Sequence, residues 1–404
     1  MKIIPEKITF GGNSLGKING KNVFIPYAIP GETLDVEIVE SKKDYDTARI
    51  ISIIEASCDR IQAPCPYYGS CGGCNMMHIE PKAQQKFRRD ILCDIFTQND
   101  IDISSLVEII SGPEYEYRSR FQLTDGGLSQ KKSNEIIPIQ KCLCAEKNIN
   151  NYLENTSPEK RDKGRIHIFG SSFMTKPENT DIVLAGESRK TETKPRKENK
   201  KYKFKENRYF AGTLYSPEHS ITVNLNGKNI SFDVRGFFQS NLFVFSKVLD
   251  LILKLLPGGK NILDMYAGCG SISAFLTEKY NNVVLVEHNR DALVYAEQNL
   301  SGKGHVSYGM SGQAWVKNCA CSCPAFEACL VDPPRSGMEA AVCDYLCKSK
   351  IPLILSLSCD PATHARDCSR LLKAGYQLKQ IYLLDFYPNT SHIESLAVLE
   401  LKDF

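Results

Sequence analysis

No stretch of this 404-residue chain is apolar for long enough to span a bilayer. The best run, VLDLILKLLP at 248–257, is broken by Asp250 and Lys254. The first residues, MKIIPEKITFGGNS, have no apolar core of the kind a secretory signal needs. Net charge is only +3, so the chain as a whole supplies little field and a nucleic-acid partner has to be met by a local basic face. No internal repeat is visible. We expect a monomer in the cytoplasm, without membrane contact.

The chain is too long for one typical domain, and an apolar fraction of 42% is enough to build sizeable cores. Sixteen cysteines in a reducing compartment point to metal binding, catalysis or buried thiols, and away from a disulfide framework.

The texture changes twice along the chain. Residues 1–57 read as short strands separated by GG and NG turns (KITF, NVFIPYAI, TLDVEIVE, TARIISIIEA), a pattern that suits a small closed sheet. Residues 58–235 open with a Cys-, Pro- and Gly-rich loop. An amphipathic stretch at 81–100 and scattered strands such as FQLTD, IIPIQ and ISFDVRGFF follow. Within this region 189–208 is dense in Lys and Arg. A solvated tether is the commoner reading of such a run, and a phosphate-contacting arm the functional one. From 236 to 404 apolar strands alternate with amphipathic helices, which predicts a doubly wound α/β sheet.

Two turns at strand ends carry cofactor chemistry. LDMYAGCGSIS (263–273) places Gly268 and Gly270 where a buried strand becomes a helix, so that a ligand can approach the backbone. A dinucleotide fingerprint needs a third glycine three positions on, and position 273 is Ser. The next strand, VVLVEH, ends at Glu287, suited to a ribose. A ligand with a ribose and no phosphate, S-adenosylmethionine, fits this pairing. LVDPPRSG (330–337) then sets Asp332 at the carboxyl end of the sheet, before a turn stiffened by two prolines. Enzymes that methylate exocyclic base nitrogens place an aromatic after those prolines. Arg335 stands there instead, which disfavours amine methylation.

PLILSLSCDPATHARD ends an apolar strand at Cys359, beside that pocket. Most cysteines are buried small hydrophobes, but a strand-end thiol next to a methyl donor can add to carbon 6 of a pyrimidine and make carbon 5 nucleophilic. The thiol must be partly ionised, which calls for a pKa below about 8.5 with Arg335 as a helping cation. A base must then remove the carbon-5 proton. Glu394, with His392 as a weaker candidate, stands in FYPNTSHIESLAVLEL just before the last apolar strand. Cytosine in DNA is open to the same thiol addition, and a non-catalytic RNA-binding role is the rival reading from a different class.

Cys65, Cys71 and Cys74 lie in one short loop, CPYYGSCGGC, with Cys142 or Cys144 available as a fourth ligand. Four cysteines hold zinc or an iron–sulfur cluster. Three clustered ligands and one distant one favour the [4Fe–4S] cube. The CxxxCxxC spacing of radical enzymes is absent, and CACSC (319–323) is assigned no metal.

With CPYYGSCGGC, FFQSN, DPPRSGM, SCDPATHARD and HIES in view, nearly the whole chain resembles the RNA uracil-5-methyltransferase family, least clearly at 145–230. It is most similar to the members acting on 23S ribosomal RNA that carry an N-terminal TRAM domain and a [4Fe–4S] cluster. The resemblance implies a multidomain chain: an OB-like TRAM barrel that binds RNA, a central iron–sulfur α+β domain and a Rossmann-like class I methyltransferase domain. It implies cluster ligands Cys65, Cys71, Cys74 and Cys142, and S-adenosylmethionine contacts from Gln239, Tyr266, Ser271, Glu287 and Asp332. It supports Cys359 as nucleophile and Glu394 as proton acceptor. The expected substrate is 23S ribosomal RNA, with transfer RNA as the rival. Position 271 is Ser and position 360 Asp where the family often has Asn, and no adenine contact is assigned in YGMSGQAW (308–315).

Overall fold

The computed structural model describes residues 1–131, 133–175, 182–186 and 219–402. The basic stretch 189–208 lies outside them. Among the described residues no helix is long and apolar enough to cross a membrane.

The N-terminal strands are β1 (Lys2–Ile3), β2 (Lys7–Ile8), β3 (Asn13–Ile18), β4 (Lys21–Pro26), β5 (Thr33–Ser41) and β6 (Tyr45–Glu55). They form one six-stranded sheet in the order β1-β5-β6-β4-β3-β2. Alternation along β3, β4 and β5 turns one set of side chains inward, and Ile3, Val23, Ile25, Leu34, Val36 and Ala48 make the core. Asn19 and Gly20, both at positive φ, close the β3–β4 hairpin.

Next come α1 (Pro81–Thr97), β7 (Val107–Ile110), β8 (Arg120–Thr124), β9 (Leu128–Ser129), β10 (Ile136–Ile137), α2 (Lys147–Asn155), β11 (Arg165–Phe169) and β12 (Val183–Gly186). Strands β12, β11 and β8 form a small antiparallel sheet, and its side chains Phe121, Leu123, Ile166 and Ile168 pack on Ile149 and Leu153 of α2.

The remaining elements are β13 (Ser220–Leu225), β14 (Lys228–Asp233), α3 (Leu242–Leu255), β15 (Gly259–Met265), α4 (Ser273–Leu276), β16 (Tyr280–Val286), α5 (Arg290–Asn299), β17 (His305–Tyr308), α6 (Gly312–Asn318), β18 (Ala328–Val331), α7 (Ala340–Ser349), β19 (Leu353–Ser358), α8 (Pro361–Lys373), β20 (Tyr376–Leu384) and β21 (Glu394–Leu401). The sheet runs β17-β16-β15-β18-β19-β21-β20-β7. All neighbours are parallel except at β21, which is antiparallel to both β19 and β20. Strands β18 and β19 are buried along their whole length, as a sheet covered on both faces requires.

The three sequence segments are not three separate packing units. Strand β7, from the 58–235 segment, pairs in parallel with β20 and covers the edge of the large sheet. Ala83, Ile91, Leu92 and Phe96 of α1 join the core on one face of that sheet, and the β13–β14 hairpin joins the core on the other. Alternating strands and helices announce a sheet but say nothing of which distant strand will cover its edge. The helix expected after the glycine loop is a single turn, α4.

Candidate active site

Five strand ends of the large sheet open on one cavity of about 910 Å³. Beyond β15 the chain turns sharply: Tyr266 has φ +65° and Gly268 and Gly270 have φ +57° and +72°. A β-carbon on Gly270 would stand 2.9 Å from both Ala296 and Leu300, so glycine is what lets α5 close against the turn. Glu287, just past β16, accepts hydrogen bonds from the backbone N–H groups of Gly268 (2.8 Å) and Asn289 (2.5 Å). Its carboxylate is thereby locked at the cavity wall. The hydroxyl of Tyr266 accepts from the Glu339 N–H at 3.2 Å.

Gln239, Tyr266, Glu287 and Asp332 all line this cavity. Ser271 does not. It lines a recess of about 50 Å³ that shares Gln239, Tyr266, Gly268 and Asp332 with the cavity, together with Asp264. The Gln239 side-chain oxygen is buried with no hydrogen-bond partner, so it can accept from a bound donor. Burial pushes the Asp332 carboxyl up to about 6, with Glu287 adding to the shift, and pushes Asp264 up to about 7, against a hydrogen bond from Ser273. Acidic groups at these adjoining strand ends, Asp332 and Glu287 in the cavity and Asp264 in the recess, suit a cationic ligand. S-adenosylmethionine, with a sulfonium and an ammonium group, has that charge.

Cys359 and Glu394 are brought together by sheet register. The β19–β21 pair sets Ser358 against Ser395, so Cys359 and Glu394 are the next opposed positions, and both line the cavity. Asp360 caps α8, accepting from the N–H groups of Ala362 (3.0 Å) and Thr363 (2.9 Å), and Pro361 begins the helix. Aspartate at 360 therefore has a structural task of its own. Burial pushes the Glu394 carboxyl up to about 8, and Asp332 adds to the shift against Arg335. His392 lines the same cavity but is exposed, and desolvation with Arg335 and Arg118 nearby holds it below the usual histidine range.

The thiol differs from expectation. Burial pushes Cys359 up to about 11, with Glu394 and Asp332 adding to the shift, and the Arg335 cation only partly opposes them. Nothing in the motif SCDPATHARD reports that two carboxylates from other strands face the sulfur.

Several cavity residues carried no assignment from sequence. Met310, Ser311 and Gly312 of the YGMSGQAW stretch line it, as do Arg118, Phe237, Tyr387 and Thr390. Phe237 is 73% exposed while the adjacent Phe238 is buried, a difference that FFQSN does not reveal. Arg118 comes from a segment remote in sequence, and only folding brings it here. Asp264 was visible as the acid of LDMY.

A second cavity, of about 290 Å³, is lined by Cys65, Cys71, Cys74, Cys142 and Cys144. The sulfurs of Cys74 and Cys144 are 3.8 Å apart, and Arg118 and Gly73 lie on the walls of both cavities. Among the described residues no three His, Cys, Asp or Glu side chains converge closely enough to hold one metal ion.

Comparison with known proteins agrees with this architecture. The TRAM domain family matches residues 3–51, and the tRNA (Uracil-5-)-methyltransferase family matches residues 316–402. The chain is 32% identical to an uncharacterized RNA methyltransferase of Treponema denticola over 97% of both chains. It is 27% identical to the 23S rRNA (uracil(1939)-C(5))-methyltransferase RlmD of Haemophilus parainfluenzae, over 98% of this chain and 96% of that one. Its fold matches the crystal structure of Pyrococcus abyssi tRNA (uracil-54, C5)-methyltransferase in complex with S-adenosyl-L-homocysteine, at a TM-score of 0.71 and 21% identity, covering 99% of this chain and 100% of that one. The N-terminal six-stranded sheet is a TRAM domain, the eight-stranded sheet is a methyltransferase fold, and the chain belongs to the RNA uracil-5-methyltransferase family of S-adenosylmethionine-dependent enzymes.

Proposed function

We propose that this enzyme methylates carbon 5 of a uridine in 23S ribosomal RNA through a covalent adduct on Cys359, with Glu394 as the proton acceptor. The observation that carries the reading is the opposition of these two side chains across the β19–β21 register, in a cavity that also holds Gln239, Tyr266, Glu287 and Asp332. S-adenosylmethionine, held by those four residues and by Ser271 in the adjoining recess, supplies the electrophilic methyl group that carbon 5 accepts.

The uracil leaves its stack to enter the cavity, at a cost of a few kcal/mol. The Cys359 thiolate adds to carbon 6, forming a C–S bond and moving the ring's double-bond electrons onto the carbon-4 oxygen as an enolate. Once carbon 5 is methylated, Glu394 takes its remaining proton. That electron pair restores the carbon 5–carbon 6 double bond, and the thiolate leaves. A carboxyl near 8 is a stronger base than an ordinary one and is still partly ionised near neutrality, which suits this step.

The substrate reading rests on relatives that match over nearly the full chain and act on 23S rRNA. A second reading, transfer RNA, is favoured by the description of the family that matches residues 316–402. Mass mapping of 5-methyluridine in ribosomal and transfer RNA from cells with and without the gene separates the two. Unchanged 5-methyluridine in both pools would refute the reading. Action on ribosomal RNA also carries the cytoplasmic assignment.

We further read Cys65, Cys71, Cys74 and Cys142 as holding a [4Fe–4S] cluster, with Cys144 open as an alternative fourth ligand. Zinc binds sulfur at about 2.3 Å and draws its thiolates to one point. Here five thiols line one cavity, and four thiolates are the donor set of a [4Fe–4S] cluster. Its role is structural, since the cysteines lie apart from Cys359.

A further inference from the structure

We propose that Asn75 is a positioning residue for proton removal: it ties the TRAM domain and the cysteine loop to the segment that presents Glu394. This rests on the reading of Glu394 as the proton acceptor. Asn75 follows Cys74 directly. Its side-chain nitrogen donates to the Ser391 hydroxyl at 2.9 Å and to the Gly11 carbonyl at 3.1 Å, while its side-chain oxygen accepts from the Ser391 N–H at 2.9 Å. Its own N–H and that of Met76 donate to the Asn389 carbonyl at 3.2 and 3.0 Å. One asparagine thus meets the β2–β3 turn of the TRAM domain, the cysteine loop and residues 389–391.

Both partner segments are shaped for this contact. Gly12 has φ +84°, and a β-carbon there would stand 2.5 Å from the Asn75 side-chain nitrogen and 2.9 Å from the Ser391 β-carbon. The turn can press this close only as glycine. Asn389 is left-handed at φ +68°, a conformation that asparagine adopts more readily than most residues and that persists where the surroundings fix it. Its surroundings do so: its N–H donates to Gln84 of α1 at 2.9 Å and its side chain donates to the Glu114 carbonyl at 2.9 Å. Ser391 is then three residues from Glu394. Glu394 opens β21 and is paired with Leu384 of β20, so what Asn75 fixes is the approach to it at 389–391. Cys359, by contrast, directly follows β19 and precedes the capped start of α8. Loosening Asn75 therefore acts on the residues that lead into β21, on the base's side of the pair, and not on the β19–α8 turn that carries the nucleophile.

The two steps can be read apart. The purified full chain is mixed with S-adenosylmethionine and unmodified transcripts of 23S ribosomal RNA and of transfer RNA, tritiated at uracil carbon 5. Methylated protein–RNA adduct that survives denaturant reports attack and methyl transfer, and tritium in water reports proton removal. For Asn75→Ala we expect adduct formation within about threefold of wild type, tritium release slowed about tenfold or more, and adduct that accumulates. Ser391→Ala keeps the Asn75 backbone contacts and should shift the same ratio, less strongly. If adduct formation and tritium release fall together in both variants, or neither changes, Asn75 is merely structural and the proposal is overturned. Glu394→Gln is measured alongside. Wild-type tritium release from that variant would overturn the base assignment itself and the Asn75 proposal with it, an outcome distinct from failure of Asn75→Ala alone.

Discussion

Arg88 of α1 and Asp385, at the end of β20, form an ion pair at 2.8 Å with side chains only 2% and 3% exposed. Gln85 donates to the same carboxylate at 3.2 Å, and Arg88 also donates to the Tyr387 carbonyl at 3.1 Å. The pair thereby fastens the sequence-remote α1 to the start of the 385–394 segment that leads to Glu394.

Removing one partner of a buried pair leaves the other charge uncompensated, at a cost of about 3–5 kcal/mol. Arg88→Ala should therefore lower the denaturation midpoint markedly. Replacing Arg88 and Asp385 together by apolar residues of similar volume should recover most of the loss. Chemical denaturation of both single variants and the double variant gives the coupling directly. Additive losses would mean that the two charges do not stabilise one another.

Cys359→Ala should abolish turnover and any covalent RNA adduct, because no other thiol stands opposite Glu394 in the strand register. Fluorescence titration with S-adenosylhomocysteine should still show binding near the wild-type affinity, since the cofactor wall belongs to other strand ends. Turnover that persists in this variant would remove residue 359 from the chemistry.

The pH dependence follows from two raised pKa values. Cys359 stands near 11, above the ordinary thiol, and must lose its proton to attack; Glu394 stands near 8, above the ordinary carboxyl, and must be ionised to accept one. Both reacting forms gain population as pH rises, so single-turnover adduct formation should climb by up to about tenfold per pH unit between 6 and 8. Arg335 is the cation that lowers both values. Arg335→Gln should move the rising limb to higher pH and slow the reaction at pH 7.5, without losing the maximum at alkaline pH. A limb that moved to lower pH would show that Arg335 does not stabilise the ionised forms.

What the sequence showed and what it hid divide along physical lines. Local signals were legible: apolar strands followed by glycine, proline and acid, as in LDMYAGCG, LVDPP and LSLSCDP, mark the strand ends that meet at the cavity. Relations between remote segments were not. Nothing in VEII at 107–110 says that it will extend the sheet beside β20, and nothing near Arg118 says that it will form a wall of both cavities. The raised thiol had the same origin, since its neighbours Glu394 and Asp332 arrive from two other strands. Cys144 remained an alternative to Cys142 because two residues along an irregular loop can face the same space, as these two do.

The cysteine cavity carries the last test. If a cluster occupies it, each ligand thiolate contributes to folding through the metal centre, because binding energy in such sites is folding energy. Cys65→Ala, purified without oxygen, should lose most of its iron. It should also unfold at a lower temperature. Catalysis by whatever fraction stays folded should be less affected, because Cys65 lies in the second cavity and not beside Cys359. The same iron measurement on Cys142→Ala and Cys144→Ala distinguishes the two fourth-ligand assignments: the ligand variant should lose iron and the bystander should keep it. A Cys65→Ala protein with its full iron content would strike that residue from the ligand set, and wild-type protein isolated under the same conditions with zinc and no iron would replace the cluster assignment altogether.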